Sequence, residues 1–109
     1  MARLCLLDEN GETTQLWELG SRALAIGRDQ SADVVISDDT LSRRHFVIAP
    51  EGSDYVLKDL GSQNGTWVAG QRATTATLRD NDCIIAGRST FLFTTHVGHR
   101  AALDPVEVG

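Results

Sequence analysis

The chain never sustains an apolar pattern for longer than a strand. Short runs recur from end to end: Leu4 to Leu7, Gln15 to Leu19, Ala23 to Ile26, Val34 to Ile36, His45 to Ala49, Tyr55 to Asp59, Thr66 to Val68, Cys83 to Ala86 and Arg88 to Thr95. Between them stand Asn10-Gly11, Pro50-Glu51-Gly52-Ser53 and Ala69-Gly70, several of them residues that favour tight turns. No window keeps a helical period over three turns, and Phe91 and Phe93 fall on one face of an alternating run. Helical and α/β architectures are thereby disfavoured. The expectation is an all-β fold, a β-sandwich of about eleven short strands in two sheets, with the site in loops at one end.

A chain of 109 residues allows one domain with a single core, and an apolar share of 41% is that of a globular chain. The pattern fades after Thr95, so residues 1–95 read as the domain and 96–109 as a tail or linker. Such a module is either part of a larger multidomain protein or a small adaptor. No apolar run approaches membrane-spanning length, and the first residues turn acidic too soon, at Asp8-Glu9, for a secretory signal. Cys5 and Cys83 lie in strand-like runs and read as buried free thiols of a cytoplasmic protein, with a disulfide between them left open. The net charge of −5 argues against nucleic acid as the partner. A local basic site remains feasible, because Arg28, Arg43 and Arg44 cluster within a short span.

Three short signatures follow one another where strands hand over to loops: Gly27-Arg28, then Ser42-Arg43-Arg44-His45, then Asp59-Leu60-Gly61-Ser62-Gln63-Asn64-Gly65-Thr66. Taken singly, each has an ordinary explanation as a turn with exposed polar side chains. Taken in order, they supply guanidinium groups on two loops, a hydroxyl, a side-chain amide and an Asn-Gly turn. That inventory suits a doubly charged tetrahedral anion, since arginine presents a planar fork of donors and serine and asparagine add neutral ones.

With the strand Leu24-Ala25-Ile26 before the first signature and Leu78-Arg79-Asp80-Asn81-Asp82-Cys83-Ile84-Ile85-Ala86-Gly87 after the last, this order resembles the forkhead-associated (FHA) domain, a phosphothreonine-binding module. The resemblance covers roughly residues 3 to 95. It implies that Arg28, Ser42 and Arg43 touch phosphate and that Gln63 and Asn64 face the peptide. Gly27, His45 and Gly65 would then support the loops from within. Arg44 reads as solvated or packing, since strand-like alternation would turn it away from Arg43. The chain departs from the family pattern at Ala69, where a second asparagine is frequent, and at Asn81, where glycine is usual; both bear on local turn geometry.

Other chemistries find little support. Ser42 and His45 are close in sequence, but there is no nucleophile elbow of the Gly-x-Ser-x-Gly type, so no enzyme is expected. There is no nucleotide-binding P-loop and no Cys-x-x-Cys; His96 and His99 stand without further ligands, so neither a metal nor a cofactor is expected. Trp17 and Phe91 read as core residues. The resulting expectation is non-catalytic binding of a phosphothreonine-containing protein, marked by an upstream Ser/Thr kinase, with no membrane or nucleic-acid partner. The alternative is a phosphate-independent interaction or regulatory module of the same fold.

Overall fold

A computed structural model of the chain describes residues 2–95. Among these residues every regular element is a strand: β1 Ala2–Leu7, β2 Thr13–Leu19, β3 Leu24–Gly27, β4 Val34–Val35, β5 Phe46–Glu51, β6 Asp54–Asp59, β7 Thr66–Val68, β8 Gln71–Arg72, β9 Thr75–Thr77, β10 Asp82–Ala86 and β11 Ser89–Thr94. They form a six-stranded sheet in the order β2-β1-β11-β10-β7-β8 and a five-stranded sheet in the order β4-β3-β5-β6-β9. All pairings are antiparallel except β3 with β4.

The period-two alternation seen in the sequence decides which side chains meet between the sheets. Leu4, Ile84, Phe91 and Phe93 point inward from one sheet, and Ile26, Phe46, Ile48 and Leu57 from the other; none is more than 1% exposed. Phe46 meets Phe91 edge to face, with ring centroids 5.5 Å apart and planes at 83°. Removing these side chains from water supplies about 1.5–3 kcal/mol each, which makes the two sheets a rigid frame for the loops at their ends.

Several sequence expectations are refined. β8 and β9 carry no apolar run and escape pattern reading; only Ala76 of β9 packs against the core. Trp17 sits half-buried at the core margin rather than within it, because β2 is an edge strand. Cys5 is buried, whereas Cys83 is half-buried, and both are free. Each lies opposite Leu92 from a different side, so β11 separates them. Two strand spacings are about 10 Å, beyond the roughly 7 Å that a disulfide tolerates between α-carbons. His96, His99 and the 96–109 segment lie outside the described residues.

Both departures from the family pattern fall on left-handed backbone: Ala69 has φ 51° and Asn81 φ 70°. Asn81 suits that conformation because asparagine tolerates it. Ala69 and Gly70 (φ 82°) join β7 to β8 with both central residues at positive φ, the geometry of a type I′ hairpin turn. The turn therefore survives the missing asparagine, but alanine is strained there. Ala69→Asn should raise stability by about 1 kcal/mol. The check is a higher urea midpoint with an unchanged slope; an unchanged or lower midpoint would show that Ala69 carries no strain.

Candidate functional site

Three loops meet at one end of the sandwich: residues 28–33 after β3, 36–45 between β4 and β5, and 60–65 between β6 and β7. The first two are zipped together by backbone hydrogen bonds. Arg28 N–H donates to the Ser42 carbonyl (3.2 Å) and Asp29 N–H to the Arg43 carbonyl (3.1 Å). That closeness requires glycine at 27, since a Cβ there would fall onto the Arg43 carbonyl.

His45 joins the second loop to the third. Its ring is fully buried. Nδ1 accepts from the Ser42 N–H (3.0 Å), so the ring proton resides on Nε2, which donates to the Gly65 carbonyl (2.8 Å). β5 accordingly begins one residue later than the apolar run suggested, leaving His45 free to turn its ring inward. Gly65 itself has φ 84°, which favours glycine.

Asp59 organises the third loop from within. Its Oδ2 accepts from the N–H groups of Gly61 (3.0 Å) and Ser62 (2.9 Å). Its Oδ1 accepts from the hydroxyls of Ser62 (2.5 Å) and Thr66 (2.7 Å). Burial pushes its pKa up, but these hydrogen bonds, led by Ser62 and Thr66, outweigh it and hold the carboxyl below its ordinary value. The spacing of Asp59 to Ser62 is a side-chain-to-backbone turn signature, so this role has a signal in the sequence.

The three loops enclose an open cleft of about 350 Å³ that includes Arg28, Ser42, Arg43, Arg44, Gln63 and Asn64 in its lining. The five residues expected at the ligand are thus together, with Arg44 added. Arg28 is exposed, and its Nε donates to the Leu41 carbonyl (2.8 Å), which orients the guanidinium while leaving both terminal amino groups available. The Ser42 hydroxyl accepts from Gln63 N–H (3.0 Å), so its own proton is free to be donated. Asn64 Nδ2 donates to the Thr40 carbonyl (2.7 Å), tying the second loop to the third. Arg43 forms no ion pair among the described residues. Arg44 lines the same cleft and reaches the Ser31 carbonyl at 3.4 Å. The expected opposition of Arg43 and Arg44 fails because residues 42–45 bend rather than extend. Thr40 and the Leu41 carbonyl position ligand-facing side chains through backbone atoms, for which the sequence holds no signal.

Electrostatically the cleft gathers three guanidinium groups on a chain of negative net charge. Asp29 lies beside them. Hydrogen bonds from Ser31 lower its pKa first; desolvation opposes them, and the charges of Arg43 and Arg28 add smaller lowerings. It therefore stays ionised and offsets part of the positive field. Among the described residues no group of three His, Cys, Asp or Glu is placed to hold a metal, and no helix is long and apolar enough to cross a membrane.

Comparison with known proteins shows the family. The FHA domain family model matches residues 24–87, and the chain belongs to that family. It is 36% identical over 76 residues to the FHA domain-containing protein FhaB of Mycolicibacterium smegmatis, covering 70% of this chain and 49% of that one. The chain thus spans about half the length of the first curated relatives it matches. A domain solved in a structural and functional analysis of phosphothreonine-dependent FHA domain interactions superposes with a TM-score of 0.79 at 34% identity, over 87% of this chain and 96% of that one. Mycobacterium tuberculosis EmbR, solved in complex with a low affinity phosphopeptide, gives 0.72 at 34% identity, over 84% of this chain and 24% of that one.

Asp59 makes the loop architecture pH-dependent. A carboxyl whose folded pKa is depressed contributes stability that is present above its unfolded pKa and lost as pH falls through the folded value. Asp59→Asn should therefore cost about 2–3 kcal/mol at neutral pH, where hydrogen bonds to an ionised acceptor are lost. The difference from the parent should shrink below the ordinary carboxylate value of 3.8. Parallel urea titrations at neutral and acid pH measure it; a gap that stays constant would mean that the Asp59 charge is not what holds the loop.

Proposed function

We propose that this chain is a non-catalytic module that binds phosphothreonine-containing peptides and proteins, recruiting partners that a Ser/Thr kinase has marked. The observation that carries this is the convergence of Arg28, Ser42 and Arg43 on one open cleft, with Arg28 oriented by the Leu41 carbonyl and Ser42 by Gln63 N–H. Phosphate oxygens would take charge-assisted hydrogen bonds from the two arginines and one from the serine hydroxyl. Gln63 and the Asn64 carbonyl oxygen would face the peptide, while Gly27, His45 and Gly65 keep the loops in place. The printed descriptions of the FHA structures solved with phosphopeptide and in phosphothreonine-dependent interactions support the same ligand class.

The greater length of FhaB supports residues 1–95 as the binding domain of a larger multidomain protein, with 96–109 as its tail or linker. A cytoplasmic location would suit a partner marked by a Ser/Thr kinase.

Calorimetry with a threonine-phosphorylated peptide and its plain twin tests the function directly. Binding should depend on the phosphate, and Arg28→Ala should weaken it more than about tenfold while thermal unfolding stays near that of the parent, because bonds of about 1.5–3 kcal/mol each are lost only in the complex. Equal binding of both peptides would instead favour a phosphate-independent interaction module.

His45→Ala should behave in the opposite way. It leaves the Ser42 N–H and the Gly65 carbonyl without partners in the interior, so stability should fall by about 2–4 kcal/mol, with binding weakened as the loops relax. A parent-like melting curve for His45→Ala would remove the ring from its bracing role.

A further inference from the structure

Gly65 sits in the third loop and has no side chain, yet it is buried. Its polar groups are held from the interior. The N–H donates to Ser62 Oγ (2.9 Å), and the carbonyl accepts from His45 Nε2 (2.8 Å). Arg72 covers the other side. A Cβ on Gly65 would fall 2.8 Å from Arg72 Nε and 3.1 Å from both Cζ and Nη2. Three guanidinium atoms at nearly equal distances mean that the plane of the group faces the Gly65 α-carbon. At Gly61, in the same loop, a Cβ would meet no atom within 4 Å. The cover therefore lies over the end of the loop that carries Gln63 and Asn64, and not over its start.

The two-residue strand β8 delivers this side chain. The Ala69-Gly70 turn brings the chain back so that Arg72 pairs with Trp67. One residue further on, Ala73 N–H donates to the Thr66 carbonyl (2.9 Å), so the backbone is fixed on both sides of Arg72. Arg72 Cζ stands 5.6 Å from the centroid of the Trp67 ring, a cation–π contact that orients the guanidinium. Arg72 is exposed and forms no ion pair among the described residues. It does not line the phosphate cleft. Its link to the site is the contact of its plane with Gly65.

Resting on the phosphopeptide function above, we infer that Arg72 is a positioning residue for the bound peptide, acting through Asn64. Gly65, at φ 84°, has the backbone freedom that would let the Asn64–Gly65 peptide swing outward. His45 and Ser62 hold that peptide from within, and the Arg72 plane closes the outer side. Asn64 Nδ2 is engaged by the Thr40 carbonyl (2.7 Å), so Oδ1 meets the ligand only while the backbone keeps this place. A loop held in one position loses less freedom on binding, which raises affinity. The role needs an arginine, because a lysine ammonium has the same charge but no plane to lay on the backbone.

A double-mutant cycle read by calorimetry with a threonine-phosphorylated peptide tests this. Arg72→Ala should weaken binding roughly three- to tenfold, the range expected for coupled neighbours. On an Asn64→Ala background, where Arg28, Ser42 and Arg43 still hold the phosphate, the same substitution should change affinity less than about twofold. On an Arg43→Ala background its full effect should persist. A loss of fold alone would weaken binding equally on both backgrounds. Arg72→Lys, which keeps the charge and most of the stem, should weaken binding as Arg72→Ala does, and it carries the cycle if the alanine variant fails to fold. Parent-like affinity in Arg72→Lys, or an undiminished Arg72 effect without the Asn64 amide, overturns the inference while the phosphopeptide function stands. If the parent chain binds no phosphopeptide, the underlying function fails, and the role of Arg72 with it.

Discussion

One imidazole ring holds together two loops that lie twenty residues apart in sequence. His45 takes a hydrogen bond from Ser42 N–H on Nδ1 and gives one to the Gly65 carbonyl from Nε2, in an interior from which water is excluded. Both loop groups are backbone, so the ring replaces water for two polar atoms that folding would otherwise bury unpaired. The remaining contacts elaborate this link: Gln63 N–H reaches the Ser42 hydroxyl and the Asn64 amide reaches the Thr40 carbonyl between the same two loops.

Structural and ligand-facing chemistry are divided between neighbouring residues. Gly27 allows the close approach of the first two loops, and Arg28 beside it turns outward. His45 and Gly65 are buried, whereas Arg43, Gln63 and Asn64 are exposed. Ser42 does both, taking a loop hydrogen bond on its oxygen while keeping its proton. This division is why substitutions at adjacent positions are expected to separate stability from affinity. It also explains how a chain of net charge −5 presents a cationic cleft: its arginines are held at one end of the sandwich by neutral backbone acceptors such as the Leu41 and Ser31 carbonyls.

Much of the fold was legible because a half-buried strand imprints its alternation on the sequence, and Phe91, Phe93 and the Asn10-Gly11 turn were read that way. β8 and β9 were not, since Gln71-Arg72 and Thr75–Thr77 are recruited by their neighbours rather than by an apolar face of their own. Strand alternation would turn Arg44 away from Arg43, but residues 42–45 bend, and both exposed arginines line the cleft. The organising carboxylate of Asp59 carried a turn signature, while the orienting carbonyls of Thr40 and Leu41 carried none, since any residue supplies a carbonyl.

The sequence by itself determined the class of fold, the core strands and the chemical inventory of the cleft, because periodicity and side-chain type are local properties. Only the tertiary structure decided which of those groups converge, that Asn64 ties two loops together, and that Arg88, 60 residues beyond Arg28, lines a groove with it. Those facts depend on strands distant in sequence packing side by side, and on backbone atoms that are identical at every position. A pattern of side chains cannot encode where such atoms will meet.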